Sequence, residues 1–420
     1  MKLLLYLMVF VAPMGANAFS FEFGGVMVSP FRLLFVLAIL CTVALCALRK
    51  KSFVIYTRPT RYSVSFMLIW LLAAILSVIW AIDVENFVKV IFFLFIGAFL
   101  NLLLLNHFST VKETVAVIRV FTMGVLLQAL IGWYEIFTKD YRFLNMTAQN
   151  VAHYINGPTR IPVAMCSNPN DFATLMFLGV FTALVCVGAA KRLIAKLLYL
   201  ALSVNFALLL LITTSRANLL GLAIGLVFLL VVWRKPHWLI LGGALAVLAA
   251  LFVPSITAYV REILDFDFKA TVGSDSTRMN LIKNGLIFLK DTLGVGVGAG
   301  QIESWMKTKA IYNTHGILNM HNWWVECLTS FGVLVFAGYI VFYVRLYLTF
   351  WRSAKKKGMT ALASPLCAAM VGFVLASISS SSNMANEWLW LFWAICVLAQ
   401  SALGKEKELP ALKEDAPCQE

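Results

Sequence analysis

Arg216 stands in the run Thr213-Thr214-Ser215-Arg216-Ala217-Asn218-Leu219-Leu220, at the mouth of a long apolar stretch. Ser215 or Thr214 can cap a helix there, which puts Arg216 at the helix N-terminus. A cation at that end opposes the helix dipole unless an anion shares the site. A guanidinium and unpaired backbone N–H groups aimed at one point make an anion site. The plain alternative is an arginine that snorkels to a membrane interface. Arg278 repeats the arrangement after Ser274-Asp275-Ser276-Thr277, and its plain alternative is a pair with Asp275, three residues back. Two such arginines suit one pyrophosphate. Arg160 is a third, weaker candidate for the same anion.

His321 lies in Asn319-Met320-His321-Asn322-Trp323-Trp324. Its ordinary pKa near 6.5 lets it take a proton at neutral pH, as a general base must. It serves equally as a cap or an interfacial residue, and His153 and His315 compete with it. Trp323 and Trp324 read first as an interface belt, and they also offer a sugar a stacking surface. Glu326 is placed to orient His321 or to compete with it; Asn322, Ser215 and Asp275 are further supporting candidates. Glu135 and Asp171 stand at helix ends, where Ser167-Asn168-Pro169-Asn170-Asp171-Phe172-Ala173 reads as a turn and cap. No spacing matches a metal site, so no metal is expected. Gly294-Val295-Gly296-Val297-Gly298-Ala299-Gly300 lacks the strand before and the Gly-Lys-Ser/Thr ending of a nucleotide loop, and is expected to be a flexible turn.

The elements that position these residues follow from composition. Of 420 residues, 61% are hydrophobic and only 13% charged, against about 45–50% and about 25% in soluble domains. That excludes a soluble enzyme, a disordered chain and a disulfide-stapled domain. The continuous apolar runs also argue against a barrel, whose strands alternate. The eight cysteines form no framework and read as buried thiols. Membrane spans are expected near 2–20, 30–48, 63–82, 86–105, 114–137, 170–189, 196–213, 217–233, 237–256, 324–350, 360–379 and 385–403. The first run also imitates a signal peptide ending in Ala16-Asn17-Ala18; an uncleaved helix is preferred, because all basic clusters then fall on one side.

The net charge of +14 collects in those clusters: Arg49 to Arg61, Lys191 to Lys196, Arg234-Lys235 and Arg352 to Lys357. That is the positive-inside pattern and not a nucleic-acid surface, so that side and both termini are expected to be cytoplasmic. The other face carries two long loops, over 138–169 and 254–323, and a cytoplasmic tail runs over 404–420 of a single integral membrane domain 1–420. The second loop is expected to hold an amphipathic helix with Met279, Ile282, Leu286 and Leu289 on its apolar face, lying on the membrane.

Taken together, Ser215-Arg216 with Leu220, Arg278 after an Asp/Ser stretch, the glycine run, His321-Asn322 and Gly332 resemble the O-antigen ligase and O-antigen polymerase superfamily of bacterial envelope glycosyltransferases. The motif block covers about 205–340, and the span outline covers the whole chain. The resemblance implies an all-α polytopic fold of about twelve spans, GT-C-like, in the bacterial inner membrane with a periplasmic active site. It implies transfer of a glycan from an undecaprenyl-pyrophosphate carrier to an acceptor, with inversion and without metal, cofactor or nucleotide. Arg216 and Arg278 would hold the pyrophosphate and His321 would deprotonate the acceptor hydroxyl. The partners implied are the carrier-linked donor, a glycan or lipid A-core acceptor, the bilayer and a chain-length regulator. Ligase and polymerase differ in acceptor. Val335 stands where ligases carry a small or aromatic residue. Leu289 stands where some polymerases carry a glycine eleven residues after the arginine. The Ser167–Ala173 segment is more like polymerases, which is the preferred reading. A twelve-helix transporter or a lipid-carrier flippase is the alternative of another class. Either would place ionisable groups at mid-depth, where the expected spans are nearly empty of them.

Overall fold

An apolar run of about 20 residues can cross a bilayer only by closing its backbone hydrogen bonds within itself, as a helix. The structure, a computed structural model, follows that constraint. It describes all residues except 16–18, 24–25, 50–51, 144–160, 167, 234–273, 381 and 415–420. In chain order the elements are α1 (Lys2–Val11), β1 (Phe21–Phe23), β2 (Val26–Val28), α2 (Pro30–Arg49), α3 (Arg61–Leu76), α4 (Val84–His107), α5 (Val111–Thr138) and α6 (Pro169–Ala189). There follow α7 (Leu193–Ile212), α8 (Arg216–Val232), α9 (Ser274–Asp291), α10 (Ile302–Lys309), α11 (Trp323–Ala354), α12 (Thr360–Ala376) and α13 (Glu387–Glu414). Among the described residues, 8 helices are long and apolar enough to span a membrane; α1, α8 and α12 are shorter apolar helices. The chain is thus a polytopic, nearly all-helical membrane protein, with one two-stranded antiparallel hairpin pairing Phe21 with Val28. Every expected span has its helix except the one near 237–256, which lies outside the described residues.

The first expected span is cut short. Its helix has 10 residues, about 15 Å at 1.5 Å per residue, half of the roughly 30 Å that a bilayer core requires. Pro13 and then Gly15, at φ 63°, end it. The Phe10 carbonyl and Pro13 meet Gly124, midway along α5. A short 3-10 turn, Ala12–Met14, follows α1, and among the described residues the next α-helix is α2, from Pro30.

Side-chain caps set where the helices begin. Asp83 accepts from Asn86 N at 3.0 Å at the head of α4. Thr110 and Glu113 form a reciprocal capping box on α5. Below the heads of α11 and α13 lies an aromatic centre of Trp70, Trp323, Tyr339 and Trp390, with ring centroids 5.5–6.3 Å apart where they meet. Trp323 is therefore a core residue, 1% exposed, and not the interface belt that its sequence suggests. Its indole donates to Tyr339 Oη at 2.7 Å, which satisfies the N–H that a belt residue would give to water.

The glycine run is not a flexible turn. It threads through a break in α11, where Gly332 leaves helical geometry at φ 75°, ψ 178°. Val297 N donates to Thr329 O, Gly298 N to Ser330 O and Val333 N to Gly294 O, each at 2.9 Å. These bonds replace the ones that the break removes from the helix ladder. A Cβ on Gly296 would sit 2.5 Å from Gly332 N, and one on Gly332 would sit 2.2 Å from Val295 O. Only glycine permits the approach. Beyond the run, buried Gln301 accepts from the Ile82 and Asp83 amides at 2.8 Å and donates to Asp83 O at 2.9 Å, locking α10 to the head of α4.

Candidate functional site

Four of the five serines between α12 and α13, those among the described residues, join the parts. Ser377, Ser379, Ser380 and Ser382 are polar residues at the end of two buried helices, so each needs a partner. Ser377 O accepts from Trp323 N at 3.2 Å. The Ser379 hydroxyl takes a hydrogen bond from Asn218 Nδ2 at 2.8 Å and lies 3.2 Å from Ser215 Oγ. Ser380 Oγ donates to Asp171. Ser382 Oγ donates to Glu326 Oε1 at 2.6 Å. The heads of α6, α8 and α11 are thereby pinned to one loop.

Arg216 opens α8 at one edge of this loop, half-buried. Ser215 occupies the N-cap position but its side chain does not cap. It donates instead to Asn170 Oδ1 at 2.8 Å, so the expected side-chain cap is replaced by an inter-helix tie. Thr214, just before it, sits at φ 57°, a left-handed conformation that costs a non-glycine residue about 1–3 kcal/mol.

His321 stands at another edge, immediately before α11, also left-handed at φ 49°. Strain of this kind persists where the surroundings over-determine it, and it gathers at functional sites. Burial and the nearby charge of Arg278 hold the imidazole below its ordinary 6.5, while a hydrogen bond with the Ser379 backbone favours the protonated form. The first two prevail, leaving a neutral ring. Its Nδ1 is buried without a hydrogen-bond partner. A neutral imidazole with an unsatisfied nitrogen is what a general base needs. Arg278 lies in the first turns of α9, half-buried.

The supporting candidates separate. Asn322 caps α11, its Oδ1 accepting from Trp324 N at 3.1 Å and Val325 N at 3.2 Å. Glu326 is spent on Ser382. Ser274 and Asp275 begin α9, but their side chains lie outside the described residues, as do Arg160 and His153 entirely. Glu135 is structural: its Oε2 accepts from Val163 N and Ala164 N at 2.8 Å each. The helix expected over the second long loop exists as α9, and it carries a second, buried stripe besides the expected apolar one. Leu281 and Phe288 are buried against Val297 and Trp305, while Met279 and Leu286 are 47% and 48% exposed. The buried stripe holds Asn284, whose amide fastens the backbone at Tyr312, and a count of apolar residues passes over it.

The serine loop is the part that sequence reasoning missed. Its signal was present in Ser377-Ile378-Ser379-Ser380-Ser381-Ser382, a run too polar to be a plain turn between two spans.

Residues 198–340 match the O-antigen ligase family, a segment that holds Ser215, Arg216, Asp275, Arg278, His321, Asn322 and Glu326. The teichuronic acid biosynthesis protein TuaE of Bacillus subtilis (strain 168) is 28% identical over 359 residues, covering 82% of this chain and 72% of that protein. Both findings support the resemblance drawn from the motifs.

Proposed function

We propose, for a chain whose matches support the O-antigen ligase and polymerase superfamily, that it transfers a glycan from undecaprenyl pyrophosphate to an acceptor hydroxyl, polymerising repeat units of a surface polysaccharide. The observation that carries this reading is the convergence of the Arg216 helix head and a neutral His321 on Ser379, with Arg278 acting on the same imidazole. Two cations and a base are the parts that the displacement needs.

In that reaction the acceptor oxygen attacks the anomeric carbon from the side opposite the pyrophosphate. The carbon–oxygen bond to the pyrophosphate breaks, and its electron pair leaves with the diphosphate oxygen. Arg216 and Arg278 offset the charge that develops there. The hydroxyl proton passes to His321, whose unpartnered Nδ1 is the nitrogen free to take it. A single displacement inverts the anomeric centre. The cations are side chains, so the reading calls for neither metal nor nucleotide. The protein sits in the bacterial inner membrane, its long loops periplasmic and both termini cytoplasmic.

The Ser167–Ala173 segment, which is more like polymerases, supports polymerisation, and the name of the TuaE relative supports a role in polysaccharide biosynthesis. The name of the matched family, O-antigen ligase, favours a second reading, attachment of O-antigen to lipid A-core. A gel of surface polysaccharide from a deletion strain, complemented with wild type or His321→Ala, tests both. Single repeat units still attached to the core mean a polymerase. Unattached polymer held on the carrier means a ligase. An unchanged ladder refutes the transferase.

A further inference from the structure

The end of α1 leaves non-helical backbone at Gly15, close to where Pro13 meets the middle of α5, and at that depth of a bilayer such backbone is tolerated only inside protein or against a water-filled cavity. A cavity of about 410 Å³ opens there, between Pro13 and Gly15 on one side and the heads of α2, α4, α11 and α13 on the others. Its size lies within the roughly 300–1,000 Å³ of small-molecule sites. Asn319 and Met320, the two residues before His321, form part of its wall, as do Glu326 and Asp171. It therefore adjoins the candidate site without including either arginine of the pyrophosphate pair.

Its far wall holds a buried ion pair. Arg32 Nε donates to Glu387 Oε1 at 2.5 Å and Arg32 Nη1 to Met27 O at 2.7 Å. The side chains are 13% and 1% exposed. Glu387 Oε2 has no hydrogen-bond partner. A buried carboxylate oxygen left unpaired costs about 1–3 kcal/mol or more, and Glu387 is one of the residues that line the cavity. The charge of Glu387 is already balanced by Arg32, so the missing partner is a neutral donor, a hydroxyl or an amide N–H. Asp171, Glu303, Glu326 and Glu387 outnumber Arg32 and Lys89 around the cavity, and Lys89 is taken by Glu85 at 2.6 Å. That balance favours a hydroxyl-rich neutral ligand and opposes an anionic one.

We propose that this cavity is the acceptor-sugar subsite, and that Glu387, held by Arg32, accepts a hydrogen bond from a hydroxyl or amide of an uncharged sugar. The proposal rests on the transferase reading, whose acceptor hydroxyl has to arrive beside His321.

Binding without turnover tests it. Saturation-transfer NMR on the full-length protein in nanodiscs would use the methyl glycosides of glucose, galactose, mannose and N-acetylglucosamine, with methyl glucuronide as the acidic probe. At least one neutral glycoside should bind the wild type, and more tightly than the glucuronide. Binding should weaken at least tenfold in Ala385→Trp, which fills the cavity and spares the ion pair. It should weaken as much in Arg32→Met combined with Glu387→Met, which removes the recognising groups without stranding a buried charge. Size-exclusion profiles confirm that each variant is folded. The subsite is refuted if no neutral glycoside binds, if both folded variants bind as the wild type does, or if the glucuronide binds best. Sugar binding by a wild type that transfers nothing from a carrier-linked donor would refute the transferase reading and leave the subsite standing. Normal transfer by both folded cavity variants, with wild-type acceptor KM, would refute the subsite alone.

Discussion

At the scale of single residues, the environment of His321 sets the sign of the pH response. Burial and Arg278 lower its proton affinity, so the neutral base persists below pH 6.5 and is lost as the pH falls through the shifted value. The rate of transfer should fall on the acid side with an apparent pKa below 6.5. Arg278→Gln removes the repelling charge, so its acid limb should move to higher pH, and its rate should also drop about 10²–10³-fold as pyrophosphate stabilisation is lost. His321→Ala should cost about 10²–10⁴-fold and abolish the acid limb. Rates of purified protein across pH check all three; an acid limb that stays put in Arg278→Gln would contradict the coupling. Types and spacing made Arg216, Arg278 and His321 legible in the sequence. The roles of their neighbours were not, because a serine or a carboxylate acquires its role from what it faces. Ser215 reads as a cap and is a tie to Asn170 and Ser379. Glu326 reads as the partner of His321 and is held by Ser382.

Among the elements, the glycine run contradicts its own composition. Alternating glycine and small apolar residues read as a loose turn, and the structure has them hydrogen-bonded across the break in α11. Sequence alone cannot see this, since the partner backbone at Thr329, Ser330 and Val333 lies some thirty residues on and becomes a partner only after α11 breaks at Gly332. Longer separations hid the serine loop, whose partners in α6, α8 and α11 include Asp171, 209 residues away, and Asn218, 161 residues away. Stability measurements separate a rigid junction from a flexible one. Gly296→Ala combines a positive φ of 94° with a Cβ 2.5 Å from Gly332 N, and should cost about 2–6 kcal/mol. Gly316→Ala has a similar φ of 80° with nothing within 4 Å, and should cost only about 1–2 kcal/mol. Thermal unfolding in detergent would show a much larger drop in Tm for the first. Equal drops would mean that the run is loose after all.

Across the whole molecule, the arrangement of charge and helix ends predicts a sidedness. The basic clusters at Lys191 to Lys196 and Arg352 to Lys357 lie at the ends of helices opposite to the heads of α8, α11 and α13, where the candidate site is built. Lys2 pairs with Glu113 in the first turn of α5, at 2.5 Å, which fixes the start of α1 at the basic end. Apolar periodicity and loop charge made this outline legible from the sequence. The half-length of α1 was less so, because Pro13 lies inside a run that is apolar throughout. Translocating a charged cluster is unfavourable, so the basic end should face the cytoplasm and α10 the opposite compartment. Thr308→Cys on α10 and Lys356→Cys after α11 are both at exposed positions. In intact spheroplasts a membrane-impermeant maleimide should label the first. The second should react only after permeabilisation, with the unsubstituted protein giving the background. The reverse pattern would put the arginines and His321 in the cytoplasm, where a carrier-linked glycan exported for surface assembly would not meet them, and the transferase reading would fall with it.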